Sequence, residues 1–365
     1  MKDEVLVVGA GIFGCTVAVR LAQNGYAVTL VEKDDGILKG TSARSVFRVH
    51  QGPHYPRSDA TANQSRDSFE LFCSIFEGSI DKDFLNFYAI SKEASKVSSK
   101  EFREFVLRTQ MKVSKTDLSV LEKFGVDISS IDTVWLCPEG VYDINRMRSY
   151  FLSIFFQLDI KLITEVEILG LERHDRGWHT LSSPKELGIF NFIVLATYAT
   201  DKINFGESSS MPNKEFQKTL VLECAIPELN RLGLTVLDGD FLTLLPASFR
   251  ETFHLYAPIP SVIARRTAGK IPKDFTSIPE GNLVENAKSK IIQRFSSYLP
   301  DHKNLEVVSE LIATRVIPAN SSASDRRTTE VSLLSKGLIE VFSGKVDHAV
   351  IASKRVLEII EEHNY

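Results

Sequence analysis

A chain of 365 residues with 43% hydrophobic and 25% charged residues is long enough for a large core in one to three domains, and is not the composition of a disordered chain. Its formal net charge of −4, from 43 Lys and Arg against 47 Asp and Glu without blocks of either sign, provides no basic stripe for nucleic acid. The 4 cysteines, Cys15, Cys73, Cys137 and Cys224, lack CxxC or metal-type spacing, so the sequence predicts a reduced, cytoplasmic protein with no metal site. No leader of signal-peptide form precedes the first strand, and no apolar run has the length of a bilayer span, so no integral membrane segment is expected.

The predicted elements begin with an apolar run at residues 5–8, which ends at Gly9-Ala10-Gly11-Ile12-Phe13-Gly14. A helical segment to about residue 24 follows, then a second apolar run, 27–31, closed by Glu32. Strand, glycine turn, helix, strand and acid in that order form a dinucleotide-binding unit. Gly9 permits the tight turn, Gly11 leaves room for a pyrophosphate, and Gly14 lets the helix pack close to the strands. The helix N-terminus offers unpaired N–H groups to phosphate. Glu32 suits the hydroxyls of an adenosine ribose and repels a 2′-phosphate, which leaves FAD and NAD as candidates and disfavours NADP.

Residues 34–58 read as a loop and 59–76 as a helix. A strand is expected at 84–90. Ser98-Ser99-Lys100-Glu101 has capping-box form ahead of an amphipathic helix with Phe102, Phe105 and Val106. Strands follow at 134–137, 161–168 and 178–181, with a helix at 145–156. Residues 192–197 (FIVLAT) are an apolar run suited to a buried parallel strand. Closely spaced short runs at 218–225, 234–237, 241–245 and 254–257 predict an antiparallel sheet. A helix at 282–299 comes next. The end returns to α/β type, with a strand at 338–342, Ser343-Gly344-Lys345, and a helix to about 362. The fold class expected is α/β: a Rossmann-like domain interleaved with an α+β substrate domain on a mixed or antiparallel sheet. Residues 1–82, 140–210 and 306–365 would form the first domain, and 83–139 and 211–305 the second.

Residues 41–62 read TSARSVFRVHQGPHYPRSDATA. With the opening fingerprint, they resemble the D-amino-acid-oxidase-like flavoprotein superfamily, which includes glycine and sarcosine oxidases, glycerol-3-phosphate dehydrogenase and L-2-hydroxyglutarate oxidases. His50, Gly52, Tyr55, Ser58 and Thr61-Ala62 fit the loop pattern of the hydroxyglutarate branch, and Glu32-Lys33 occupy the acidic position. Residues 193–197 resemble the family's Ala-Thr-Gly strand, with Tyr198 where glycine is usual, and the segment after 341 resembles its C-terminal flavin loop. The resemblance implies an FAD-dependent oxidase or dehydrogenase. It would hold FAD through Gly9, Gly11, Ile12, Phe13, Gly14, Glu32, Lys33, Thr41, Ser42, Val166, Ala196, Thr197, Gly344, Lys345, Val346 and Asp347.

Oxidation of a C–H beside nitrogen or oxygen asks the protein to position substrate, manage a proton and stabilise charge on the flavin. Gly344, Lys345 and the start of the last helix suit the charge. His50 or His54 suits the proton; each is otherwise a hydrogen-bonded loop histidine, and His50 has a third reading as a covalent flavin tether. Arg48, Arg57, Arg315, Arg326 and Arg327 fall where the resemblance places the flavin, and a guanidinium grips a carboxylate through two hydrogen bonds. Arg48 and Arg57 flank His50 and Tyr55, so Arg48, His50, Tyr55 and Arg57 are the catalytic candidates. Arg48, His54, Arg57, Arg315 and Arg327 are the substrate candidates. The expected partner is a small, anionic amino acid, amine or 2-hydroxy acid. Only one dinucleotide fingerprint is present, so electrons are expected to leave to oxygen, a quinone or a carrier protein. Gly52-Pro53-His54 also resembles the flavin segment of UDP-galactopyranose mutase, which leaves a redox-neutral sugar-nucleotide enzyme as an alternative. The substitution at Tyr198 leaves a flavoprotein scaffold without turnover as another.

Overall fold

The computed structural model describes residues 3–363 except 94, 199–202, 206–213, 240–241, 278, 320–324 and 343. Positions 241 and 343, each within a segment read above, therefore lie outside the described residues. The opening unit folds as strand Glu4–Val8, helix Ile12–Gln23 and strand Ala27–Val31. Glu4–Val8 pairs in parallel with Ala27–Val31 on one side and Phe192–Leu195 on the other. Lys161–Ile163 and Leu338–Phe342 extend these parallel pairings, and Glu330–Ser335 closes the six-stranded sheet as an antiparallel edge.

The first strand is apolar at every position after Glu4 because both its faces are covered. Val5 and Val7 pack on one side, against the first helix and the C-terminal helix Ala349–Glu362. Leu6 and Val8 pack on the other, against Trp178 and Phe190 of a three-stranded antiparallel sheet, Glu167–His174, Gly177–Ser183 and Ile189–Phe190. The continuous strand expected over 161–168 is broken at Glu165, whose φ of 59° turns the chain from one sheet into the next.

The residues expected to form a substrate domain supply eight strands of a nine-stranded sheet backed by helix Gly281–Tyr298. It is mixed rather than wholly antiparallel, because Leu232–Leu237 runs parallel to Leu85–Ser91. Three of its strands were not foreseen, Ser114–Thr116, Val262–Ala268 and the 13-residue Glu306–Pro318. The last pairs along Lys214–Ala225, so residues 306–318 belong to this sheet and not, as expected, to the dinucleotide set. The expected capping box at Ser98 forms, with both reciprocal bonds to Glu101, at the head of helix Ser99–Thr109. Among the described residues, no helix is long and apolar enough to cross a membrane.

Candidate active site

The carboxyl ends of the parallel strands open into a cavity of about 560 Å³. The three glycines of the opening turn do different physical work. Gly9 has φ +96°, and a Cβ there would fall 2.7 Å from the Ala196 carbonyl oxygen. A Cβ on Gly14 would fall 1.8 Å from the Gly9 carbonyl oxygen, so this glycine sets helix-to-turn packing and does not line the cavity. A Cβ on Gly11 would meet only Ser42 Oγ, at 3.7 Å, and would project into open space. Gly11 caps the first helix, whose first turn carries no acidic residue to neutralise its positive end. Glu32 lines the cavity nearby. Its carboxylate accepts the Ala10 N–H at 2.7 Å and the Asp34 N–H at 3.1 Å, which fixes its orientation.

These features fit the ADP portion of a dinucleotide: free volume beside Gly11, a helix N-terminus without counter-charge, and a clamped acid one strand away. Ile12, Phe13, Lys33, Thr41, Ser42, Val166, Ala196 and Thr197 line the same cavity. So do Gly344, Lys345 and Val346 at its other end. A Cβ on Gly344 would lie 2.1 Å from the Arg327 carbonyl oxygen, so the chain passes there only as glycine. Tyr198, where the resemblance implied a glycine, has φ 51°. Its hydroxyl donates to the Val316 carbonyl at 3.2 Å and accepts the Val316 N–H at 3.1 Å, which holds the left-handed backbone in place. Asp347 does not line the cavity. It is fully buried behind the loop, 3.6 Å from His348 Nε2, and burial pushes its carboxyl up to about 7.

Arg48, His50, His54 and Arg315 come together along the second half of the cavity. Tyr55, Arg57 and Arg327 do not line it. Tyr55 is buried with its hydroxyl unpartnered, and the Lys345 ammonium sits 4.8 Å from its ring centroid. Arg57 pairs with the Asp238 carboxylate, and Arg327 Nη2 lies 2.8 Å from Asp325 Oδ1. Both guanidiniums therefore have counter-ions of their own. Arg48 is also engaged. Its Nη1 donates to Tyr88 Oη at 2.8 Å and to His54 Nδ1 at 3.1 Å, its Nη2 donates to Thr235 Oγ1, and Glu139 Oε2 lies 3.7 Å from its Nε.

Arg315 is different. Its Nε donates to the neutral Gln217 Oε1 at 2.9 Å, and no described carboxylate lies within ion-pair distance. Lys345 shares this end of the cavity. Burial first, then the charges of Arg327 and Arg315, lower its ammonium to about 7. His50 and His54 are held well below the usual histidine value. Burial is the main cause for both, and the charges of Lys345 and Arg48 add to it. Sequence reasoning missed the carboxylate that occupies Arg48, Glu139, together with Tyr88 and Thr235. These three sit on separate strands or loops far along the chain from Arg48, and only the folded sheet joins them. It also missed Lys218, which lines the cavity and donates to the Phe275 carbonyl at 2.6 Å.

The family profile described as DAO, FAD dependent oxidoreductase, matches residues 4–308. A protein named FAD-dependent monooxygenase kojA, from Aspergillus flavus, is 35% identical over 379 residues, covering 98% of this chain and 86% of that one. Among solved structures, glycine oxidase from Geobacillus kaustophilus superimposes with a TM-score of 0.78 at 12% identity, covering 99% of this chain and 95% of that one. L-Proline dehydrogenase from P. horikoshii does so with a TM-score of 0.76 at 16% identity, covering 99% and 94%. At such identities the structural likeness is one of fold.

Proposed function

Because the chain belongs to the DAO family of FAD-dependent oxidoreductases, we propose that it removes a hydride from a C–H beside an amine or hydroxyl of a small anionic substrate. The observation that carries this reading is Arg315: a guanidinium on the cavity wall whose side-chain acceptor is a neutral amide rather than a carboxylate. An anion entering the cavity supplies the missing counter-charge, with the two-point geometry that guanidinium favours.

Bound FAD supplies the hydride acceptor. Residues 9–13, Glu32, Thr41 and Ser42 would hold its ADP half, and 344–346 the end nearest the substrate. Lys345 is the better proton acceptor here. An amine lowered to about 7 is half deprotonated near neutral pH and can accept the proton that an ammonium or hydroxyl gives up as the hydride leaves the adjoining carbon. His50, neutral but held well below 6.5, is a much weaker base. The family match favours this oxidoreductase over the redox-neutral sugar-nucleotide alternative. The division into a dinucleotide part and a substrate part follows the two large sheets, with 306–318 assigned to the second.

The test is anaerobic mixing of the FAD-loaded protein with amino acids, amines and 2-hydroxy acids. Bleaching of the flavin by an anionic member, lost in Arg315→Met, supports the reading. Bleaching that is insensitive to Arg315 refutes the anion grip. The relative's name, monooxygenase, favours a second reading in which oxygen from O₂ enters the product. Incorporation of label from ¹⁸O₂ selects it.

A further inference from the structure

His54 offers two ring nitrogens, and the structure distinguishes them. Nδ1 lies 3.1 Å from Arg48 Nη1. A guanidinium has donors and no acceptor, so Nδ1 must accept. The single proton of the neutral ring then sits on Nε2. That nitrogen has no hydrogen-bond partner among the described residues, and the ring is half-buried on the cavity wall.

Nothing near the ring favours a different protonation state. Arg48 faces it from the His50 loop, Arg315 from strand Glu306–Pro318, and Arg327 and Lys345 from the C-terminal segments, all of which oppose a positive imidazole. Its ring neighbours, His50, Tyr55 and Tyr88, are neutral: burial lowers the histidine and raises both tyrosines. The nearby carboxylate, Glu139, belongs to Arg48. It also accepts from Tyr88 Oη at 2.7 Å, the Gln51 N–H at 2.7 Å and Asn86 Nδ2 at 3.3 Å. Donation runs one way through this group, from Arg48 to Tyr88 and from Tyr88 to Glu139, so the guanidinium is held with Nη1 towards His54.

We infer that His54 is a hydrogen-bond donor of fixed tautomer, presenting Nε2–H to an oxygen of the substrate, and that Arg48 is the positioning residue that sets this tautomer. His54 is then not the proton acceptor of the reaction. The site selects a substrate with an acceptor oxygen, carboxylate or carbinol, within reach of this N–H as well as of Arg315. The inference rests on the reading of this cavity as the substrate site.

Two measurements test it. The first needs no activity. With ¹⁵N-labelled histidine, the His54 signals, identified by their loss in His54→Gln, should show Nε2 protonated and Nδ1 unprotonated, unchanged between about pH 6 and 8. Arg48→Lys should keep this pattern and Arg48→Met should lose it. A wild-type ring protonated on Nδ1, or one that titrates in that range, overturns the inference. The second compares rapid flavin reduction in His54→Gln and His54→Leu. Gln places an amide N–H near the Nε2 position, so its reduction rate and substrate affinity should stay within about tenfold of wild type. Leu should weaken substrate binding by about tenfold to a hundredfold. A Gln variant as slow as Leu overturns the donor role. If no substrate bleaches the wild type, the functional reading fails, and the ¹⁵N spectrum still decides the tautomer.

Discussion

Gly11 and Gly14 are three residues apart in one motif, yet the structure predicts opposite responses to the same added methyl group. At Gly11 the backbone has φ −71° and ψ −180°, an extended conformation that alanine adopts without strain. The new Cβ would meet Ser42 Oγ at 3.7 Å, an ordinary contact. Gly11→Ala should therefore change the stability of the apoprotein by less than about 1 kcal/mol. The methyl would instead stand in the space assigned to the pyrophosphate. Loss of one charge-assisted hydrogen bond there is worth about 1.5–3 kcal/mol, or roughly a tenfold to 150-fold weaker FAD affinity. At Gly14 the methyl would lie 1.8 Å from a backbone oxygen, so the first helix must move off the turn. Its gain in helix propensity, about 1 kcal/mol, is outweighed by overpacking of about 1–3 kcal/mol or more. Thermal unfolding of both apoproteins, followed by FAD titration monitored by fluorescence, separates the two. An unaltered FAD affinity in Gly11→Ala would refute the placement of the pyrophosphate. A Gly14→Ala apoprotein as stable as wild type would refute the packing argument.

Flavin reduction by NADH or NADPH should be slow, because the sequence holds one dinucleotide fingerprint; rapid bleaching by NADPH in stopped flow would refute this and strengthen the monooxygenase reading. Lys345→Gln should slow substrate-driven reduction by roughly 10²–10⁴-fold and abolish a rise in rate with pH centred near 7, where the amine loses its proton; a pH profile unchanged in the variant removes Lys345 from proton transfer. Arg48→Met should cost about 3–5 kcal/mol in denaturant unfolding, because Glu139 is left buried without its counter-charge, and adding Glu139→Gln should recover part of the loss; a tolerated single substitution would show that the pair is not desolvated. Asp347 keeps its proton up to about pH 7 when folded but releases it near 3.8 when unfolded, so the wild-type apoprotein should lose up to about 4 kcal/mol of stability as pH rises from about 4 to 7; Asp347→Asn should lack that slope, and equal slopes in the two proteins would refute the burial argument.

The dinucleotide half of the fold was legible because its constraints are local. Tight turn, close helix approach and open phosphate space each demand glycine at a fixed spacing, and the strand beside them must be apolar on both faces. The substrate sheet was less legible. Val262–Ala268 and Glu306–Pro318 carry charged and polar residues at many positions, since one face of each is partly solvated, and their strand character comes from pairing with Lys214–Ala225. The break at Glu165 was hidden for a related reason. Apolar residues stand on both sides of it, Leu162 and Ile163 before and Val166 and Ile168 after, and periodicity does not register a change of sheet.

The arginines show where sequence reading stops. Five were candidates for gripping an anion, chosen because they fall near the expected flavin, and residue type could not rank them. Counter-charge does. Arg57 has Asp238, Arg326 has Glu330 at 2.8 Å, Arg327 has Asp325, and Arg48 has Glu139 at 3.7 Å. Arg57–Asp238 and Arg48–Glu139 join residues far apart in the chain, which only the folded sheet brings together, whereas Arg326–Glu330 and Arg327–Asp325 are sequence neighbours whose pairing residue type alone does not reveal. Of the five, only Arg315, on a strand that the sequence did not reveal, lines the cavity without a described carboxylate within ion-pair distance. A half-buried cation in that condition carries an uncompensated desolvation cost, and an entering anion relieves it. The same logic turns Arg48 from a substrate grip into a device that fixes the proton on His54. Its charge is already matched, so what remains for it to do is direct a hydrogen bond.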